Sequence, residues 1–121
     1  MPNFSEISNT RLISCEEPLQ IICNKVIAYY DMSVICGHRD QIAQDRAYFD
    51  GFSTKMYPDS RHNSKPSQAI DIAPYPIDWD DTDRFCVMAG FVLCVAAQEK
   101  IRLRWGGTWS LGDYGHFELI K

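Results

Sequence analysis

The sequence predicts a single α+β domain in which a small, mainly antiparallel sheet packs against helices. Segments with strand-like alternation and segments with helical spacing are mixed along the chain, without the regular repeat of a parallel sheet. The 121 residues, 45% of them hydrophobic and 23% charged, are enough for one domain with a real core. We therefore expect residues 1–121 to form one domain, with an irregular N-terminal segment at residues 1–15.

Three segments are predicted to be helices. Apolar residues recur at helical spacing over residues 17–30. A second helix is expected over residues 41–49, where Asp40 can cap its start and Asp50-Gly51 can end it. A third and longer helix begins after Asp80 or Asp81 and runs to about residue 100. Most faces of this third helix are apolar, so we expect it to lie at the centre of the domain.

Four short segments have the pattern of strands. They are residues 33–36, residues 68–73, the alternating segment 101–105 and the terminal segment 115–120. Residues 51–67 contain Gly, Pro, Ser and Asn at high frequency, which predicts a loop. Catalytic groups often lie on such loops beside a rigid scaffold.

The charge and hydropathy patterns exclude two classes of protein. The formal net charge is −4 and no run of Lys or Arg is present, which argues against a nucleic-acid binder that works through general electrostatics. The N-terminus lacks the features of a signal peptide, and the longest apolar run, about residues 85–97, is too short to span a bilayer. We expect synthesis in the cytoplasm, no membrane insertion and a monomer.

The five cysteines form an odd set without a Cys-x-x-Cys pair. In a reducing compartment, disulfide bonds are not expected. We interpret these cysteines as small buried hydrophobic residues, with zinc ligation as the alternative. They are Cys15, Cys23, Cys36, Cys86 and Cys94.

Three residues are candidate metal ligands. His62 lies in the polar loop and His116 at the start of the last strand, while Asp71 lies inside an apolar strand, where a carboxylate is costly unless it is paired or coordinated. Three protein ligands leave one zinc position open, as hydrolysis requires. The alternatives are a salt bridge from Asp71 to Arg39 or Arg104, a solvated loop histidine and a hydrogen-bonded core histidine.

The same residues belong to an ordered set of motifs. Ser60-x-His62, Ala69-x-Asp71 and Asp113-x-x-His116-x-Glu118 resemble the zinc peptidases of the D-alanyl-D-alanine carboxypeptidase/dipeptidase superfamily, peptidase family M15. The closer likeness is to its phage endolysin branch, the L-alanyl-D-glutamate peptidases, and it covers roughly residues 30–121. Further segments fit that branch: Gly37-His38-Arg39, Gln44, Gly51-x-Ser53, residues 73–79 and Trp105-Gly106-Gly107-x-Trp109.

One spacing departs from the superfamily's common pattern, Ser-x-His-x-x-Gly-x-Ala-x-Asp. Here the link between His62 and Asp71 is two residues longer, and residues 63–68 replace the shorter glycine-containing link. Because only the ends of the link must converge, metal binding tolerates this insertion. We expect substrate contacts to differ at this link.

The resemblance implies a Hedgehog/DD-peptidase-like fold and a role for each matched residue. The zinc ligands are His62, Asp71 and His116. Asp113 corresponds to the general base, Arg39 to the arginine that stabilises the oxyanion, and Ser60 to a serine that hydrogen-bonds substrate.

This assignment agrees with the chemistry of zinc hydrolysis. Zinc lowers the pKa of its water to about 7, Asp113 can move the proton to the leaving amine, and Arg39 can stabilise the developing negative charge. Glu118 projects to the same side of a strand as His116, so we expect it to orient that imidazole, with a structural salt bridge as the alternative. Trp109 is expected in the cleft wall rather than in the core.

The leading hypothesis is a zinc-dependent endopeptidase of phage or prophage origin that cuts the L-alanyl-D-glutamate bond of the peptidoglycan stem peptide. Such an enzyme would degrade the cell wall, causing bacteriolysis, after a holin releases it from the cytoplasm. The nearest alternative is a D,D-carboxypeptidase or D-alanyl-D-alanine dipeptidase. A third is a non-catalytic, zinc-stabilised wall-binding module, against which the presence of both Asp113 and Arg39 argues.

Overall fold

A computed structural model describes residues 2–121 and contains four α-helices and four β-strands in that range. Two 3₁₀ turns, Arg61–Asn63 and Gly106–Thr108, lie between them. In chain order the elements are α1 (Glu6–Leu12), α2 (Glu17–Val26), β1 (Met32–Cys36), α3 (Gln41–Phe49), β2 (Ala69–Pro74), α4 (Thr82–Gln98), β3 (Leu103–Trp105) and β4 (His116–Leu119).

The four strands form one antiparallel sheet in the order β1-β2-β4-β3. This architecture confirms the predicted α+β class. The register sets Asp71 of β2 opposite His116 of β4 and opposite Cys36 of β1. Because directly opposed residues of an antiparallel pair project to the same face, the sheet alone brings two of the expected metal ligands together.

Helix α4 packs one face on the core, and the expectation that it lies at the centre of the domain is wrong, because Val87 and Phe91 on its other side are exposed. It packs against β2, β3 and α2, while α1 packs against β1. Phe85, Met88 and Val92 are buried on the side of α4 that faces the core. Within residues 2–121, none of the helices combines the length and the apolar composition that crossing a membrane requires.

The expectation that residues 1–15 are irregular is wrong, because residues 6–12 form helix α1. The Ser5 hydroxyl caps this helix by accepting a hydrogen bond from the Ser8 backbone N–H, at 3.1 Å. Ser8 is itself buried and its Oγ accepts a hydrogen bond from the Val34 N–H of β1. The helix contributes only Leu12 to the core, so its sequence carries almost no apolar periodicity.

Helix α2 ends at Val26, four residues earlier than the apolar spacing predicts. The backbone N–H groups of Tyr29 and Tyr30 both donate to the Val26 carbonyl, which turns the chain toward β1. Tyr30 still packs against the core, and its hydroxyl donates to the Arg84 carbonyl of α4. Tyr30 fits the apolar spacing of α2 because it is packed against the core, although it lies beyond the end of the helix. The remaining predicted elements differ from the structure by only one or two residues at their ends.

Phe117 is the residue on which we expect the sheet to depend most. It is completely buried and stands opposite Ile70 of β2 and Trp105 of β3. We predict that Phe117→Ala lowers the free energy of unfolding in urea by about 3–5 kcal/mol, because it leaves a cavity between sheet and helices. Val87→Ala, at an exposed position of α4, should change it by less than about 0.5 kcal/mol. Equal effects of the two substitutions would contradict this view of the core.

Candidate metal centre and active-site cleft

The three expected ligands converge on one carboxylate. The Asp71 Oδ1 atom lies 2.9 Å from Nδ1 of His116, and its Oδ2 atom lies 3.3 Å from Nε2 of His62. The centroids of the two imidazole rings are 5.2 Å apart. Two strands and one loop turn thus direct two nitrogen donors and a carboxylate toward a common point.

His62 is placed by the 3₁₀ turn Arg61–Asn63, and Ser60 explains why that turn forms. The Ser60 Oγ accepts a hydrogen bond from the His62 N–H at 3.2 Å, and the Asn63 side chain accepts one from the Ser60 N–H at 3.0 Å. These reciprocal bonds form a capping box. The serine of the Ser-x-His motif therefore fixes the backbone that carries the histidine, and it also lines the cleft.

Each imidazole is held by its outer nitrogen, which leaves the inner nitrogen available. The Nδ1 atom of His62 lies 2.7 Å from the Gly37 carbonyl oxygen, and Nε2 of His116 lies 2.8 Å from Oε1 of Glu118. If these two nitrogens carry the protons, the nitrogens that face Asp71 keep their lone pairs.

The inner nitrogen of His62 has the surroundings expected of a metal ligand. This buried Nε2 atom lies 3.3 Å from Asp71 Oδ2, but among the described residues no group is in hydrogen-bonding geometry with it. A buried polar atom without a hydrogen bond is costly. Two imidazole nitrogens and a carboxylate oxygen form a donor set that suits zinc, and three ligands leave a fourth position open. The residues present therefore fit a catalytic zinc ion.

Glu118 combines the two roles considered for it. Its Oε1 atom contacts His116, while its Oε2 atom pairs with Nε of Arg61 at 2.8 Å and with Nη1 of Arg104 at 3.1 Å. Burial alone would raise the pKa of Glu118, but His116 and the two arginines lower it below its usual value. Arg104 thus pairs with Glu118, and Asp71 has Arg39 as its cationic neighbour, at 3.5 Å between Nη2 and Oδ2.

Asp113 lies beside the convergent ligands. Its carboxylate, that of Asp71 and a ring nitrogen of His116 all lie within 4.8 Å of one another. Partial burial and the charge of Asp71 raise the pKa of Asp113, which moves it toward the range of a general base. Gly106 allows this approach, because a Cβ atom there would stand 2.6 Å from the Asp113 carbonyl oxygen.

These residues line an open cleft of about 550 Å³. Residues 51–55 line one part of it and residues 109–113 another. Trp109 is 40% exposed, and its ring centroid lies 5.2 Å from that of His116. Trp109 is therefore in the cleft, whereas Trp105 stacks on Phe117 of the core. The expected site residues share this cleft: Arg39, Ser60, His62, Asp71, Trp109, Asp113, His116 and Glu118.

Comparisons with known proteins identify the family of this chain. The family model of the phage L-alanyl-D-glutamate peptidases matches residues 2–120. The chain belongs to this family. A crystal structure of the L-Ala D-Glu endopeptidase ChiX from Serratia marcescens superimposes with a TM-score of 0.83 at 26% sequence identity, covering 98% of this chain and 90% of that one. No curated protein sequence matches the chain significantly.

The C-terminal part of the longer link packs beside α1 and α2. Ser67 is buried, and its backbone bonds to Ser14 and Glu16 beside α1 and α2. Among the described residues that line the cleft, none belongs to segment 63–68. The expectation that substrate contacts differ at this link stays a prediction. Ser67 of this link also forms a parallel bridge with Cys15.

Cys36 is a member of the site, although the sequence favours a buried hydrophobic role over zinc ligation for this cysteine. Its Sγ atom lies 3.9 Å from Nδ1 of His62 and 3.6 Å from Nη2 of Arg39. Cys36, His62 and Asp71 form a second group whose donor atoms lie within 4.8 Å of one another. Only the strand register, which sets Cys36 opposite Asp71, brings this thiol to the site, and no sequence motif signals it.

The histidine–aspartate contacts predict how the metal-free peptidase responds to pH. Burial alone would lower the pKa of both imidazoles, but Asp71 raises that of His62 to about 10 and, with Glu118, that of His116 to about 9. Their stabilising contribution is complete below pH 6.5 and is lost as the pH rises through about 9 to 10.

We therefore predict that, with chelator present, the free energy of unfolding in urea decreases between pH 6.5 and about 10. Asp71→Asn should weaken this decrease, because it removes the charge that raises both pKa values. Glu16→Gln, which removes a surface ion pair to Lys121, serves as the control. An unchanged slope in the Asp71 variant would contradict the assignment.

Proposed function

We propose that this member of the family is a zinc-dependent endopeptidase that cuts the L-alanyl-D-glutamate bond of peptidoglycan stem peptides. The observation that carries the proposal is the arrangement of the two imidazoles. An acceptor occupies the outer nitrogen of each, and the inner nitrogens of both point at Asp71 within the cleft. Family membership and the likeness to an L-Ala D-Glu endopeptidase support the choice of bond.

Nε2 of His62, the carboxylate of Asp71 and Nδ1 of His116 would hold the metal. A zinc ion at this position would supply a Lewis acid and lower the pKa of a water molecule to about 7. Glu118 and the Gly37 carbonyl would orient the two imidazoles by accepting hydrogen bonds from their outer N–H groups. A structural zinc site would need neither an open coordination position nor an adjacent cleft.

Asp113 and Arg39 supply the remaining chemistry. Asp113 takes a proton from the attacking water and passes it to the leaving amine of D-glutamate, a role its raised pKa favours. The guanidinium of Arg39 stabilises the negative charge that forms on the alanyl carbonyl oxygen. Trp109 and Ser60 contact the stem peptide along the cleft wall.

The family's phage association supports a proposal for the biological setting. We propose that the enzyme is a monomer made in the cytoplasm and that it reaches the peptidoglycan after a holin opens the membrane. The partner in this proposal is the stem peptide alone, with no nucleic acid and no membrane insertion.

Removing the proposed base should abolish most hydrolysis. We predict that Asp113→Asn lowers kcat by about 10²- to 10⁴-fold on purified peptidoglycan, because the proton transfer loses its acceptor. A chelator should abolish the wild-type activity, and added zinc should restore it. Asp59→Asn, at an exposed position outside the cleft-lining set, is the control.

Mass spectrometry of the products tests which bond is cut. It should find new alanyl carboxyl and D-glutamyl amino termini, whereas release of terminal D-alanine would indicate a carboxypeptidase.

Glu118 should tune metal affinity through His116. We predict that Glu118→Gln weakens zinc binding by about 10- to 100-fold, since the imidazole loses a charged acceptor that orients it. Titration calorimetry on the metal-free protein measures this change, and Glu16→Gln provides a matched control at a glutamate whose ion pair is remote from the cleft. Unchanged zinc affinity in the Glu118 variant would show that its salt bridges to Arg61 and Arg104 are purely structural.

A further inference from the structure

We propose that Gln44 is a positioning residue that sets the orientation of Arg39 in the cleft before substrate binds. The inference rests on the proposed function, because it concerns the arginine that stabilises the oxyanion. Gln44 has no role in the site as described so far and does not line the cleft. It acts from α3, behind the cleft wall.

The burial of Gln44 is unusual for its helix. It is the one buried residue of α3, with 0% of its surface exposed. Ile42 and Phe49 of the same helix are instead largely exposed. A buried amide costs free energy unless its hydrogen bonds are satisfied, so an apolar residue at this position would be the simpler solution for stability.

Every hydrogen-bonding site of the Gln44 amide is used. Oε1 accepts from Nη1 of Arg39 at 3.0 Å and from Nδ2 of Asn63 at 3.2 Å. Nε2 donates to Oγ of Ser53 at 3.0 Å and to the Lys55 carbonyl oxygen at 2.7 Å. A guanidinium can only donate and a carbonyl can only accept, so these partners allow a single orientation of the amide.

The bond to Arg39 has a directional consequence. With Nη1 bound to Gln44, Nη2 lies toward the metal site, 3.5 Å from Asp71 Oδ2 and 3.6 Å from Cys36 Sγ. Fixing a long arginine side chain costs conformational entropy. Without Gln44, this cost would arise when substrate binds. Gln44 imposes that restriction in the folded protein, which makes the charge preorganised at the moment of reaction.

The same amide joins three segments of the cleft. Its N–H groups donate to Ser53 and Lys55, in the loop that lines one part of the cleft. Its oxygen also accepts a hydrogen bond from Asn63, in the turn that carries His62. The Asn63 amide in turn donates to the Arg39 carbonyl oxygen at 3.0 Å. Neither an apolar residue nor an acid can provide both the donors and the acceptor that this arrangement uses.

The first test compares Gln44→Met, which keeps the volume and removes the amide, with wild type on peptidoglycan. We expect kcat to fall about 10- to 100-fold, as misplacement of a catalytic group does, with little change in KM or zinc affinity. Gln44→Glu keeps an acceptor for Arg39 and should retain more of the wild-type kcat than Gln44→Met. The control is Gln41→Met, at an exposed position of the same helix, which should behave as wild type.

A double-mutant cycle with Arg39→Ala separates positioning from a general structural role. If Gln44 acts through Arg39, adding Gln44→Met to Arg39→Ala should lower kcat no further. Multiplicative effects, or a fall in zinc affinity parallel to kcat, would overturn the proposal.

A readout without catalysis distinguishes this inference from the proposed function. Nitrogen-15 NMR of the Arg39 guanidinium should show restricted rotation in the wild type and in Gln41→Met, and free rotation in Gln44→Met. Free rotation in the wild type overturns the positioning role even if the enzyme is active. Restricted rotation in a wild-type protein that fails to cleave peptidoglycan with zinc present overturns the proposed function instead.

Discussion

The carboxylate of Asp71 is the interaction on which the site depends. It lies in β2, between β1 and β4, where its neighbours include two buried histidines and an arginine. Although burial favours a neutral acid, the imidazoles hold the pKa of Asp71 well below its usual value. A negative charge is thus maintained in an apolar strand, and it attracts either protonated imidazoles or a metal cation. The site therefore couples protonation, metal binding and stability of the fold.

Much of this arrangement could be predicted from the sequence. Helix α4 and the four strands follow from the pattern of their apolar residues, whereas α3 follows from Asp40, which caps it, and from Asp50-Gly51, where it ends. Asp71 attracts notice because a carboxylate inside an apolar strand needs a partner. By contrast, the sequence does not predict α1, because only Leu12 of this helix joins the core. The predicted end of α2 is too late, because Tyr30 packs against the core without being helical.

The parts that could not be predicted depend on contacts between distant segments. Cys36 reaches the site through strand register, and Gln44 reaches Arg39, Asn63 and the loop at Ser53 only after α3 packs beside them. The sequence likewise does not predict that Ser67, in the link between His62 and Asp71, bonds to Ser14 and Glu16 beside α1 and α2. Each of these contacts joins segments that are distant in the sequence. Residue types and spacings along the chain do not show that such segments meet.

X-ray absorption at the zinc edge of the reconstituted protein tests the central claim most directly. The account predicts a first coordination shell of nitrogen and oxygen atoms alone, at about 2.0–2.2 Å, with the outer-ring scattering of two imidazoles. Asp71→Asn should disrupt this shell. Cys36 lies beside His62 and Asp71 and could replace His116 as a ligand. A sulfur ligand at about 2.3 Å would show that the group containing Cys36 holds the metal, and it would contradict a site built from His62, Asp71 and His116.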